Sequence, residues 1–246
     1  LSTKGVCDSV IFQVASGTYT EQISFPEIPG VGADKHIRFK GVAGDSSAVK
    51  LTYGLSNFNA NYTLEFDGAN YISFSDLTIE ATNNSYDRVV FIANESEYIS
   101  FWNCAILNNA VTTPFNYNLV EVETSSNSDY IRISNSFFFN GSGGFYSNGS
   151  NADYLNVSGN VFLNQAYDGV YINGANYVTV NSNSIHTNSN NSFIAIELRY
   201  CDSTVSVQKN KISNVRGQGI NLDYCDGAAN NRNIVANNFV HISGNS

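Results

Sequence analysis

The sequence is short of positive charge, of methionine and of long apolar runs. It has 12 lysines and arginines against 21 aspartates and glutamates, no methionine, and a net charge of −9 over 246 residues. Phosphate binding needs clustered lysine and arginine, so this balance argues against nucleic acid as a partner. No apolar run approaches the roughly 18 residues that cross a bilayer, so we expect no membrane insertion.

The two ends of the chain lack features as well. The chain opens at Leu1 without a methionine and without the charged and apolar segments of a signal peptide. Its last residues stop in the middle of a repeat, where a repeat protein needs a cap. We therefore expect a piece of a longer secreted or cell-surface protein, with the other domains of that protein among its partners.

From residue 62 onward, the chain repeats one pattern about seven times. Each unit has an apolar strand, a short turn with Asn or Asp, a tyrosine, a second apolar strand and an asparagine. The tyrosine position recurs after 27, 32, 24, 23 and 27 residues, at Tyr71, Tyr98, Tyr130, Tyr154, Tyr177 and Thr204. A period in the twenties with two or three short strands is typical of a solenoid, here a parallel β-helix. Residues 1–246 are therefore predicted to form one all-β domain.

Strict alternation predicts which side chains of each repeat point inward. They are the apolar pairs Ile72/Phe74, Ile99/Phe101, Ile131/Ile133, Leu155/Val157, Val178/Val180 and Val205/Val207. A few residues later an asparagine recurs, and in a parallel stack such side chains can form a ladder of amide hydrogen bonds. With a register that slips by one between repeats, these are Asn103, Asn135, Asn160, Asn183, Asn210 and Asn237.

Residues 1–60 differ from residues 61–246 and are predicted to form the first coils. Residues 16–19 are predicted to be a turn, and short alternating segments predict half-buried strands at 10–14, 21–25, 37–41 and 49–51. No amphipathic helix longer than two turns is expected. The segments 110–118 and 187–192 are predicted to be loops that bulge from the solenoid, where insertions often line a binding site.

The strand that precedes each tyrosine offers acidic, amide and aromatic side chains on its outward face. One outward row reads Glu65, Phe91, Glu121, Tyr171, Glu197 and Asn221. Two residues further along, a second row reads Asp67, Ala93, Glu123, Asn173, Arg199 and Asp223. Carboxylates bind hydroxyl groups and tyrosine offers a stacking surface, so this face suits a carbohydrate. The candidate carbohydrate-binding residues are Glu65, Glu121, Glu123, Tyr171, Glu197 and Asp223.

Two of the four cysteines lie in matching tripeptides, Tyr-Cys-Asp, 24 residues apart. If 24 residues make one coil, the Cα atoms of Cys201 and Cys225 stack about 4.8 Å apart, which a disulfide allows. A disulfide between them competes with a stacked pair of free buried thiols. The cysteine spacing lacks the close pairs of a zinc site.

The repeats resemble those of the pectate-lyase-like superfamily of right-handed parallel β-helices. Residues 10–53, from VIFQVASGTYTEQI to the GDSS turn and beyond, resemble the first coil of pectin methylesterases. They resemble still more closely the β-helix segments of large surface proteins of Gram-negative bacteria. The resemblance implies a right-handed solenoid of roughly eight to ten coils, consistent with the handedness of parallel crossovers. It also implies a secreted or cell-surface location.

The motifs that carry catalysis in those enzyme families are missing. Pectin methylesterases have QD-containing and DFxFG-like motifs, and neither occurs in the chain. Polygalacturonases have a GHG motif, where this chain reads Gly217-Gln218-Gly219. Pectate lyases have an arginine beside clustered aspartates, and the nearest match is Arg199 with Glu197, Asp223 and Asp226.

The residues Glu197, Arg199 and Asp223 are therefore the candidate catalytic cluster. On neighbouring coils, Glu197 and Asp223 could stand within the roughly 5–9 Å that glycosidases use. Three interpretations remain open for the cluster: catalysis, sugar contact, and plain pairing of charges on an exposed sheet. The three histidines, His36, His186 and His241, have no catalytic spacing. No metal motif is present, so no cofactor is expected, and the Asp- and Asn-rich turns leave calcium open without matching a calcium loop.

Two functions follow from these residues. The first is a non-catalytic extracellular segment that acts as a spacer or adhesin and binds a polysaccharide or a cell-surface glycan. The alternative is a polysaccharide lyase or glycoside hydrolase that acts on an acidic glycan.

Overall fold

The computed structural model describes residues 3–54, 60–83, 88–110, 118–149, 151–187 and 193–242. Its 26 strands form three parallel sheets, and the chain visits sheets A, B and C in turn. Apart from the strands, the described residues form turns, bends and irregular segments, and they contain no α-helix. The prediction of an all-β right-handed parallel β-helix is confirmed. Residues 111–117 and 188–192 of the two predicted loops lie outside the described ranges.

Sheet A holds nine strands, each of three to seven residues. They are β1 (Val10–Gln13), β4 (Ile37–Lys40), β7 (Ile72–Ser75), β10 (Ser100–Trp102), β13 (Arg132–Ser134), β16 (Asn156–Ser158), β19 (Asn176–Asn181), β22 (Asp202–Gln208) and β25 (Ile234–Ala236).

Sheet B also holds nine strands. They are β2 (Gly17–Thr20), β5 (Val49–Tyr53), β8 (Thr78–Ala81), β11 (Ala105–Asn108), β14 (Phe137–Phe139), β17 (Val161–Leu163), β20 (Ser184–His186), β23 (Lys211–Val215) and β26 (Phe239–Ile242). The predicted turn at 16–19 is wrong, because Gly17–Thr20 pairs in parallel with β5.

Sheet C holds eight strands. They are β3 (Ile23–Pro26), β6 (Leu64–Asp67), β9 (Val90–Ala93), β12 (Asn118–Val122), β15 (Gly143–Asn148), β18 (Asp168–Asn173), β21 (Ile194–Arg199) and β24 (Gln218–Asp223).

The core is a column of apolar side chains enclosed by the three sheets. All twelve residues of the predicted inward pairs are buried, from Ile72 to Val207, with at most 5% of any of them exposed. Phenylalanines fill the wider parts, and Phe66, Phe101, Phe138, Phe145, Phe162 and Phe193 are fully buried. The sequence prediction of the core from alternation is therefore confirmed.

The turn from sheet A to sheet B carries the amide ladder. From β7 onward this turn has two residues, of which the first has positive φ and the second points inward. The side chains of Asn160, Asn183, Asn210 and Asn238 form the ladder, and each amide nitrogen donates to a carbonyl group at 2.8–2.9 Å. The prediction was right for the first three. Asn103, Asn135 and Asn237 instead hold the positive-φ position, which asparagine tolerates well.

The recurring tyrosines form a second ladder, at the turn from sheet C to sheet A. Neighbouring rings from Tyr71 through Tyr98, Tyr130 and Tyr154 to Tyr177 stack with centroids 4.3–4.5 Å apart and nearly parallel planes. All five have φ between 54° and 58°, a conformation that a bulky residue rarely adopts. Ring stacking between coils offsets that backbone cost.

Candidate functional site

The outward face of sheet C brings four of the six predicted carbohydrate-binding residues, Glu65, Glu121, Tyr171 and Glu197, into one register row. Parallel pairing places Glu65, Phe91, Glu121, Tyr146, Tyr171, Glu197 and Asn221 side by side on successive strands. The prediction missed Tyr146, although Tyr146 opens a repeat unit at the position where the neighbouring units carry Glu or Tyr. We call this surface the sheet C face.

Two tyrosines occupy the middle of the sheet C face. The rings of Tyr146 and Tyr171 stack 4.8 Å apart at 15°, and Tyr171 is only 9% exposed. One face of each ring is therefore covered by the other ring. The stacking of a sugar on Tyr171 stays a prediction, and little of its side chain is exposed for such a contact. Burial raises the pKa of Tyr146 to about 12, and the nearby Tyr171 and Glu121 add to the shift.

Amide side chains connect the hydroxyl groups of these tyrosines. Asn148 hydrogen-bonds to Tyr146, and Asn173 hydrogen-bonds to Tyr171. The Asn173 Nδ2 atom donates to the Asn148 Oδ1 atom at 2.8 Å. Arg199 donates to the Tyr171 hydroxyl oxygen. The polar groups at the centre of the face are thus held in fixed positions by one another.

An ion pair with few solvent contacts lies at one side of the tyrosines. Arg88 Nη1 donates to Glu121 Oε1 at 2.8 Å, and the two side chains are 15% and 17% exposed. The Arg88 Nε atom donates to the Asn61 carbonyl oxygen at 2.8 Å, and its guanidinium group lies 3.6 Å above the Phe91 ring. The Asn118 amide donates to the other Glu121 oxygen. Burial raises the pKa of Glu121 while Arg88 opposes the rise.

A polar cleft of about 360 Å³ opens beside this ion pair. Tyr171 covers one face of the Tyr146 ring, and Glu121 is the register neighbour on the other side, so the second ring face borders the cleft. The cleft is lined by Asn61, Arg88, Asn118, Glu121, Thr124, Tyr146 and Asn148. Its walls offer amides, a carboxylate, a guanidinium group and one aromatic ring, which are the groups that bind sugars.

The candidate catalytic cluster is only partly assembled. Arg199 contacts a single oxygen of Asp223, at 3.1 Å from Nη2 and 3.2 Å from Nε, and both side chains are more than a third exposed. Glu197 instead accepts a hydrogen bond from Asn221 at 3.3 Å. The geometry of Arg199 and Asp223 is that of a solvated surface pair.

The other predicted acidic residues have local partners. Glu65 hydrogen-bonds to the hydroxyl group of Tyr62. Glu123 accepts the backbone N–H of Asn94 at 3.1 Å, and the Asn94 side chain donates to Asp67. These contacts close the turn that follows sheet C.

Asp168 is the carboxyl group of this region that the sequence analysis missed. It is 6% exposed and lies in register between Gly143 and Ile194, at the start of β18. Among the described residues, none donates a hydrogen bond to its carboxyl group. Burial, with a smaller contribution from the charge of Glu197, raises the pKa of Asp168 to about 7. The only sequence signal was its place at the head of an apolar strand.

The cysteines and histidines lie apart from the cleft. Cys201 and Cys225 are free thiols that hydrogen-bond to each other, and Cys201 also contacts the Arg199 carbonyl oxygen at 3.3 Å. This arrangement matches the stacked pair of free thiols that the sequence allowed. A disulfide between Cys201 and Cys225 stays a prediction. His36 contacts the Ala33 carbonyl oxygen at 2.7 Å, and His186 contacts Ser213 at 3.4 Å.

The described ranges lack two features, a group of metal-ligating side chains and a membrane-spanning helix. No three His, Cys, Asp or Glu side chains there are grouped as a metal ion would need. No helix in those ranges has the length and apolar character to span a membrane.

Comparison with known proteins identifies the class of this chain. The chain belongs to the family described as "Right handed beta helix region", which matches residues 88–246. No curated protein sequence matches the chain. Among solved structures, the pectin methylesterase of Aspergillus niger is similar, with a TM-score of 0.57 and 14% identity. That match covers 95% of this chain and 83% of the enzyme, and at this identity it shows the shared fold.

A second solved structure is more distant. Pectate lyase Pel9A matches with a TM-score of 0.39 and 12% identity, covering 97% of this chain and 68% of the lyase.

Proposed function

We propose that the sheet C face binds a polysaccharide, with the polar cleft around Glu121 as the centre of the site. The observation that carries this proposal is the fixed arrangement of Arg88, Glu121, Asn118, Tyr146 and Asn148 along the cleft. Groups already held in place lose little conformational freedom on binding, so such a site favours affinity. We propose that the rigid solenoid acts as an extracellular spacer or adhesin that displays this face.

The charge of the face favours a neutral glycan over an acidic one. The two outward rows contain six carboxylates, Glu65, Asp67, Glu121, Glu123, Glu197 and Asp223, and one cation, Arg199. Arg88, at the edge, is already paired with Glu121. A polyuronate would meet net repulsion here, whereas the hydroxyl groups of a neutral sugar can donate to these carboxylates.

Affinity electrophoresis on a panel of neutral and acidic polysaccharides tests the proposal. We expect retardation by a neutral member, weakened about tenfold in Glu121→Gln because a charged acceptor and its Arg88 contact are lost. Glu80→Gln is the matched control, because Glu80 forms a comparable ion pair with Lys50 on sheet B at 3.0 Å. Retardation by no neutral polysaccharide, or equal losses in both variants, would refute the assignment.

Asp168 supports a second candidate function, hydrolysis or lysis of a glycan. A buried carboxyl group that keeps its proton near neutral pH can serve as a general acid, and Glu197 on the next coil can serve as the base. The test follows new reducing ends and unsaturated-uronate absorbance on the same panel, with methyl-esterified pectin added. Turnover that disappears in both Asp168→Asn and Glu197→Gln would establish catalysis, and absence of turnover on every substrate would reject it.

A further inference from the structure

The two long outward rows of sheet A contain no acidic residue, in contrast to the outward rows of sheets B and C. The acidic Asp202 of sheet A pairs with Asn176 at the start of β22, outside these two rows. One row reads Ile11, Arg38, Ser73, Ser100, Arg132, Asn156, Thr179, Ser206 and Ile234. The parallel row reads Gln13, Lys40, Ser75, Trp102, Ser134, Ser158, Asn181, Gln208 and Ala236. In a chain of net charge −9, three cations therefore stand in one region without an acidic neighbour in either row.

A shallow groove runs across this region because small side chains lie between large ones. Ser73 and Ser75 on β7 are flanked by Arg38 and Lys40 on β4 and by Trp102 on β10. Two adjoining hollows of about 380 and 240 Å³ share Arg38, Ser73, Ser75 and Trp102. We call the surface formed by Arg38, Lys40, Ser73, Ser75, Ser100, Trp102 and Arg132 the Trp102 patch.

The cations of the Trp102 patch are available to a ligand. Within the described ranges, Arg38, Lys40 and Arg132 take part in no ion pair, unlike Arg88 and Arg199. All three side chains are exposed. Asp76 lies at the edge of the groove, but it is 1% exposed and already accepts hydrogen bonds from Gly44 and Asn103.

Trp102 adds an apolar platform to the patch. It is the single tryptophan of the protein and is 49% exposed. In contrast to the stacked tyrosines, its ring contacts no other aromatic ring among the described residues. A free aromatic face beside serine hydroxyl groups and unpaired guanidinium groups matches a sugar that carries an anionic substituent.

We propose that the Trp102 patch binds an anionic polysaccharide through its carboxylate or sulfate groups. Arg38, Lys40 and Arg132 bind the anions, Trp102 packs against a sugar ring, and the serines bind hydroxyl groups. Nucleic acid fits less well, because its binding depends on many phosphate contacts from clustered lysine and arginine, and the patch offers three cations in an acidic protein. This site is separate from the sheet C face, and its ligand has the opposite charge preference.

Trp102 itself reports on the test, because its emission is local to the patch. The intact protein is titrated with dextran, dextran sulfate and carboxymethyl dextran, which share one backbone, and with polyglutamate as a polyanion without sugar. We expect a change in emission with one or both charged dextrans and none with dextran or polyglutamate. A response to polyglutamate of equal affinity, or no response to either charged dextran, overturns the proposal.

Variants separate this site from the one on sheet C. Arg38→Ser combined with Arg132→Ser should weaken binding of the charged dextran about tenfold, because two charge-assisted contacts are lost. Lys211→Ser, an exposed strand residue of sheet B, is the matched control and should not change it. Glu121→Gln should also leave it unchanged. Equal weakening by the control would show non-specific attraction and would contradict the proposal.

Discussion

Sheets A and C have the same strand spacing and parallel pairing, yet their outward faces carry opposite charge and opposite internal order. On sheet C, most polar groups already bind one another, as in the Arg88–Glu121 pair and the Asn148–Asn173 contact. On sheet A, Arg38, Lys40 and Arg132 form no ion pair with any residue that the structure describes, and they lie beside an exposed Trp102. The fold fixes where a side chain stands, and the residue placed there decides whether the polar groups of a face are held in place by one another or left without a protein partner.

The largest difference in stability between the two faces is expected from Asp168 of sheet C. The folded state holds its proton up to a pKa of about 7, whereas an unfolded aspartate releases it near pH 3.9. The folded state therefore binds more protons than the unfolded state between these values, so stability falls as pH rises from about 4 to about 7. Asp168→Asn should be more stable than the native chain by about 4 kcal/mol at pH 8 and should lose this pH dependence.

Urea unfolding at pH 4, 6 and 8 measures that difference. Asp34→Asn, at an exposed site near the first coils, is the control and should follow the native curve. If the native and Asp168→Asn proteins have parallel pH profiles, ionisation of the buried Asp168 does not destabilise the fold, and our inference is wrong.

Arg88 beside the sheet C face and Arg38 on sheet A should contribute very differently to stability. Arg88→Ala should destabilise the fold by about 2 kcal/mol, because it leaves Glu121 poorly solvated and removes the contact with Phe91. Arg38→Ala should leave the urea midpoint unchanged, because among the described residues Arg38 has no ion-pair partner to lose. Equal midpoints for the two variants would remove the distinction between a paired and an unpaired face.

Salt concentration should change the binding affinities of the two faces to different extents. Between 50 and 200 mM salt, binding of a charged dextran at the Trp102 patch should weaken about tenfold, because two or three counterions are released. Binding of a neutral polysaccharide at the sheet C face should change by less than about twofold. The two affinities would be measured in parallel, and similar salt dependence at both faces would contradict the charge assignment.

The smallest effect on stability is expected for Arg199 of sheet C, which is exposed like the cations of sheet A. Arg199 and Asp223 form a half-exposed pair, and such pairs contribute little to stability. Arg199→Ala should therefore leave the urea midpoint where it is, in contrast to Arg88→Ala. A clear downward shift would show that the hydrogen bond to Tyr171 has a larger structural role than its exposure implies.

The periodic parts of the molecule could be predicted from the sequence because alternation and spacing depend on the backbone alone. The inward pairs, the ladder asparagines Asn160, Asn183 and Asn210, and most of the outward register are of this kind. The orientation of the Tyr146 and Tyr171 rings could not be predicted, because it depends on side-chain packing between coils. Asp168 was missed because its burial depends on how β18 begins.

The Trp102 patch escaped the sequence analysis for a different reason. Arg38 belongs to the first coils, which do not follow the repeat, whereas Arg132 is 94 residues further along the chain. Only the pairing from β4 through β7 and β10 to β13 places them in one row. An alignment of repeats that begins at residue 62 has no position for Arg38.

The connections between the sheets differ in how well they tolerate inserted residues. From β7 onward the two-residue turn between sheets A and B keeps its length, whereas two to nine residues separate the sheet B strands from the sheet C strands that follow them. Residues added there alter neither the rise per coil, which the parallel strand pairing sets, nor the amide ladder, which lies at the turn from sheet A to sheet B. New segments can thus be grafted along one edge, next to the sheet C face, while the rest of the solenoid remains a constant frame.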